Sequence, residues 1–160
     1  EVLESNVTSG QILGIKGNEY LEDFASGNAI AGIVWSGDIT AANLEAGYER
    51  FKFALPLSGG TLWGDTFVVP MGSPRKANAE ALMNYYYEPE VAAEVAAWVN
   101  FITPVVGAQE VAAELYPDIA EDQLIFPNEE TLSNAHIFRT LDAADDQAFK
   151  AEFLRVKLGA

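Results

Sequence analysis

No cysteine occurs anywhere in the chain. That removes disulfides, zinc–thiolate sites and thiol nucleophiles in one step. Bases are scarce as well: 9 Lys and Arg stand against 24 Asp and Glu, a formal charge of −15. Binding phosphates requires basic patches, so nucleic acid is excluded as a partner. No apolar run approaches the ~18 residues that a membrane span needs. The single histidine, His136 in "SNAHIFR", reads as structural or exposed. P-loop and G-x-G-x-x-G patterns are missing, and "VWSGD" around Ser36 departs from the G-x-S-x-G nucleophile elbow at both ends. No residue is assigned a catalytic role, and the reading calls for no metal and no cofactor. The opening "EVLESNVTSG" has no methionine, so the chain is expected to come from a longer precursor with any targeting segment upstream.

What is present has globular composition. Of 160 residues, 49% are hydrophobic and 21% charged, enough for one ordinary domain with a core. The acidity suits a cationic ligand, because acidic clefts concentrate cations; it equally suits solubility or a saline habitat.

Local patterns place the elements. Residues 18–27 predict a short helix, with Asn18 as cap, Tyr20, Leu21 and Phe24 on one face and Gly27 as terminator. "AIAGIVW", 29–35, reads as a buried strand, followed by a helix over 38–47 that Gly47 stops. "FKFALPL", 51–57, alternates like a second strand. Ala79, Leu82, Met83 and Tyr86 mark an amphipathic helix, and Pro89 opens another with the stripe Val91, Val95, Trp98 and Val99. For "YYY", 85–87, core packing of one or two rings is the favoured reading over a binding site. Residues 102–135 read as irregular around a short helix near 108–116. A final helix is expected over about 143–157, capped by Asp142, with Phe149, Phe153 and Val156 as its stripe. Helices alternating with short strands give an α/β fold class.

The stretch "SGGTLWGDTFVVP", 58–70, sets Trp63 and Asp65 two positions apart before a β-branched run. In extended chain they face one side. Trp35 ends the first strand, and Asp38 follows three residues later. Indole faces attract organic cations and carboxylates pair with ammonium groups. The plainer reading makes Asp38 a helix cap and Trp63 a packed ring beside a solvated acid. Asp38 with Asp65 as a two-carboxylate hydrolase is a further, weaker reading.

"GIVWSGD", then "GGTLWGDTFVVP", "ALMNYYYEPEVAAEVAAWVNFITPV" and "LIFPNEETL", closed by an amphipathic helix, resemble the spermidine/putrescine-binding proteins of bacterial ABC importers. The resemblance covers nearly the whole chain in the same order. It implies a type II periplasmic-binding-protein fold present only as its C-terminal half. Residues 1–63 and 111–160 would belong to the second lobe and 64–110 to a segment returning to the first, with 58–70 as a hinge crossing. By the same resemblance, Trp35 and Trp63 wall the ligand cleft, Asp65 pairs with an ammonium, and Asp38 is a second acid. Phe101 stands where a relative has tyrosine, and Phe138 falls close to a glutamine of the family pattern; both departures remove polar contacts. The implied function is binding of a polyamine, not catalysis, with another small cationic or zwitterionic solute as the alternative. The implied partners are ABC permease subunits. The implied location is the periplasm, or the cell exterior with a lipid anchor in a Gram-positive host. A chain lacking its first-lobe half is also expected to self-associate and to bind polyamine weakly.

Overall fold

The computed structural model describes residues 1–158, which divide into two compact units: Glu1–Val34 with the described residues from Arg139 on, and Trp35–Phe138.

The first unit contains α1 (Val2–Thr8), α2 (Tyr20–Ser26) and the closing helix of the chain, over Ala143–Leu158. Helix α2 stops at Gly27, whose φ of 79° suits a residue without Cβ. Asn18 does not cap it; Glu19 flanks the helix with helical backbone and makes no capping bond. The closing helix starts as its sequence predicts. Asp142 Oδ1 accepts from the backbone N–H groups of Ala144 and Asp145, each at 2.9 Å, which satisfies donors that the first turn leaves free. Of its expected stripe, Val156 is buried while Phe149 and Phe153 are largely exposed. That helix packs on α1, where Arg155 donates to both carboxylate oxygens of Glu4, at 2.6 and 3.3 Å. The Arg155 guanidinium holds the Glu4 carboxyl below the usual carboxylate range, and Glu4 in turn raises Arg155.

The strand expected over 29–35 is not formed: 29–34 are irregular, and Ile30 and Ile33 are fully exposed. A strand persists only when a neighbour takes up its backbone groups. Among the described residues the one ladder is elsewhere.

The second unit runs α3 (Ser36–Ala46), β1 (Gly60–Leu62), α4 (Lys76–Tyr86), α5 (Pro89–Val99), α6 (Ala108–Leu115), α7 (Pro117–Ala120), α8 (Glu129–Ser133) and β2 (Ala135–Ile137). The closing helix Ala143–Leu158 is thus α9. Strands β1 and β2 pair in parallel, with Gly60 opposite Ala135 and Leu62 opposite Ile137. The α/β pattern is therefore mostly helix around one two-stranded ladder.

The core of this unit is a seam of alanines. Ala92, Ala93 and Ala96 of α5 meet Ala108 and Ala112 of α6, closed by Ala120, Ile125 and Phe126. The expected stripe of α5 is displaced: Trp98 is 86% exposed and Val99 43%. Close approach of α6 selects the small side chains, and the bulky ones rotate outward. Pro89 occupies the first position of α5, where its missing N–H costs nothing.

Residues 51–57 form no strand either. Asn43 takes the place of a ladder: its amide donates to the Phe51 carbonyl at 2.8 Å, and its Oδ1 accepts from the N–H groups of Arg50 and Phe51 at 2.9 and 2.8 Å. Among the three tyrosines, Tyr86 is half-buried and edges Phe67 at 5.1 Å, while Tyr85 and Tyr87 are more than half exposed.

Candidate functional site

Three rings named from the sequence meet in the second unit. Trp35 flanks the start of α3 with extended backbone, φ −77° and ψ 136°. Trp63 is the first residue past β1, and Phe101 the second past α5. The centroids of Trp35 and Trp63 lie 5.1 Å apart at 66°, and those of Trp63 and Phe101 5.9 Å apart at 69°. Both contacts are edge-on, the arrangement favoured by ring quadrupoles. Trp35 and Trp63 are 43% and 39% exposed, so each ring carries open surface beside its packed edge.

Gly37 makes this arrangement possible. It is buried in the first turn of α3. A Cβ there would lie 2.6 Å from the Asn100 carbonyl oxygen and 2.8 Å from the nearest Phe101 ring carbon. Only glycine admits so close an approach of backbone and ring.

Asp38 is in the first turn of α3 and half-buried, where a carboxylate also suits the positive end of the helix. Asp65 is exposed, two residues beyond Trp63 and outside β1. Phe138 directly follows β2 as Trp63 follows β1, so the register of Leu62 on Ile137 sets the two aromatics at one end of the ladder. Phe138 is 77% exposed. Trp35, Trp63 and Phe101 are thus in one chain of contacts, with Asp38 on the helix that Trp35 opens and Phe138 at the ladder end that Trp63 leaves.

His136 lies on β2, exposed, its Nε2 3.3 Å from the Ser58 carbonyl oxygen. Gly37 and Asn100 were not singled out in the sequence. An asparagine followed by an aromatic at the end of a predicted helix is the signal that points to Asn100. A cavity of about 590 Å³ lies along α3, lined by Asn43, Leu44, Tyr48, Phe51 and Asp122 among others. It is lined by none of the three rings.

Chemically, indole faces attract organic cations and carboxylates pair with ammonium groups. No group of His, Asp and Glu with metal-binding geometry occurs among the described residues. None of the described helices is long and apolar enough to cross a membrane.

Residues 5–127 match the family model described as bacterial extracellular solute-binding protein. The spermidine/putrescine-binding periplasmic protein of Escherichia coli is 28% identical over 142 residues, 89% of this chain and 38% of that one. Its Salmonella typhimurium counterpart is 32% identical over 116 residues, 72% and 31% of the two chains. A putrescine-binding periplasmic protein of Pseudomonas aeruginosa is 27% identical over 146 residues, 89% and 39%. The chain thus spans well under half the length of these relatives. No solved structure matches it.

Proposed function

The chain belongs to the bacterial extracellular solute-binding proteins, and on that premise we propose that it is the solute-binding component of an ABC importer whose ligand is a polyamine such as putrescine or spermidine. The observation that carries this reading is the contact chain Trp35–Trp63–Phe101. Trp35 and Trp63 pack on the methylenes, with Phe101 behind Trp63 and Phe138 extending the aromatic wall. Asp65 pairs with an ammonium, and Asp38 supplies the second acid. The charge of −15 concentrates the cation at the surface.

In this reading the fold is the type II periplasmic-binding form. Residues 1–63 and 111–160 serve one lobe and 64–110 return to the other. Glycines 59, 60 and 64 flank the crossing, where they allow hinge motion. Closure on the ligand presents a surface to the permease subunits in the membrane. The location is the periplasm, or the outer face of a Gram-positive membrane through a lipid anchor. The names of the relatives support the polyamine.

Calorimetry with putrescine and spermidine tests the reading. Saturable heat from either, lost or strongly reduced in Asp65→Asn, is the expected result. Silence with both amines, or an affinity indifferent to Asp65→Asn, refutes it.

A further inference from the structure

The exit from α5 is turned by Asn100, at φ 59° and ψ 31°. It is the one non-glycine residue with positive φ among the described residues. Glycine adopts this conformation freely, and asparagine tolerates it. Asn100 is also the one buried polar residue among those described, 6% exposed. Its Oδ1 is buried without a hydrogen-bond partner, a state that native structures seldom leave unexplained. Glycine at this position would remove both liabilities. Stability alone therefore favours glycine, yet the chain carries asparagine one residue from the aromatic cluster.

What asparagine adds is direction. A side chain confines the backbone where glycine leaves it free. Here the confined peptide lies beside Gly37, where the Asn100 carbonyl oxygen and the Phe101 ring occupy the space that a side chain on Gly37 would need. Phe101 in turn edges Trp63, and Trp63 edges Trp35. We propose, resting on the amine-binding reading of this cluster, that Asn100 is a positioning residue. It fixes the chain direction that seats Phe101 on Gly37, and through Phe101 it fixes Trp63, at the expense of stability.

The variant N100G tests this in the full chain, by near-UV circular dichroism without ligand, thermal melting, and calorimetry with putrescine. The melting temperature is expected to stay or rise. The indole dichroism of the Trp35–Trp63 pair is expected to fall, and putrescine affinity to weaken roughly five- to tenfold. Unchanged indole dichroism in N100G overturns the proposal, whatever the affinity. So does melting well below the wild type, because Asn100 would then be a structural cap. G37A approaches the same seat from the opposite side. Its affinity loss and that of N100G are expected to be non-additive in the double variant, and additive losses count against a shared seat. The dichroism needs no ligand, so a wild-type protein that binds no amine overturns the amine reading while the positioning role is still decided.

Discussion

Trp63 stands edge-on to Trp35, with ring centroids 5.1 Å apart, although 28 positions separate them in sequence (63 − 35). Each indole thereby limits the motion of the other without covering it. A ring held in this way loses less freedom when a ligand lies on it, which favours binding. Replacing Trp63 by alanine removes the middle ring of the chain. Putrescine affinity is expected to fall by about 1–2 kcal/mol, the scale of a desolvated cation–π contact. Titration calorimetry against the wild type measures it.

Asp65→Asn keeps shape and removes charge. A charge-assisted hydrogen bond contributes about 1.5–3 kcal/mol, so the expected loss is at least tenfold in affinity for a diamine. Binding should also lose part of its salt dependence, which calorimetry at two ionic strengths reads directly.

Acid is expected to loosen the α1–α9 contact. Glu4 is held below the usual carboxylate range by the Arg155 hydrogen bond and charge. A carboxylate with a lowered folded pKa stabilises the fold above its unfolded pKa, and that contribution disappears as pH falls through the folded value. Melts below the ordinary carboxylate range should therefore fall faster for wild type than for Glu4→Gln, and the two should converge in acid. Equal pH dependence of both would refute the assignment. The pair is exposed, so the effect is modest.

Ala93→Leu tests the seam between α5 and α6. Ala93 is fully buried, and the added carbons have no space. Overpacking of this kind costs about 1–3 kcal/mol, readable as a shift of the urea midpoint at constant slope. The same substitution at Ala81, exposed on α4, should be nearly neutral.

Self-association is expected at high concentration. Trp98 and Leu82 are 86% and 65% exposed on neighbouring helices α5 and α4, and exposed apolar surface of this kind favours contact between copies. Light scattering should show a concentration-dependent mass that Trp98→Ser lowers. A monomer at every concentration would contradict it.

The parts of the fold that could be read from sequence are those with local causes. Gly27 and Gly47 end their helices in left-handed backbone, Pro89 opens α5, and Asp142 caps α9. Each signal acts within a turn of the residue that carries it. That 29–35 and 51–57 form no strand was not legible, because a strand depends on a partner that its own residues do not specify. At 51, the Asn43 amide supplies what a neighbouring strand would. The buried face of α5 departs from the apolar stripe for a related reason: apolarity alone favours valine and tryptophan, whereas close helix approach favours alanine. At the site, motifs named Trp35, Trp63 and Phe101 one by one. Their contact, and the roles of Gly37 and Asn100, are tertiary facts about approach distance.

The alanine seam has one more consequence. Alanine has no side-chain rotamers to freeze, so joining α5 to α6 carries almost no side-chain entropy cost. The two helices are also neighbours along the chain, separated by residues 100–107, and a short loop closes cheaply. Assembly that is entropically light and local is expected to form early. The amides of α5 and α6 are therefore expected to be the slowest of the second unit to exchange with solvent, and Phe101, two residues past α5, follows directly on that element.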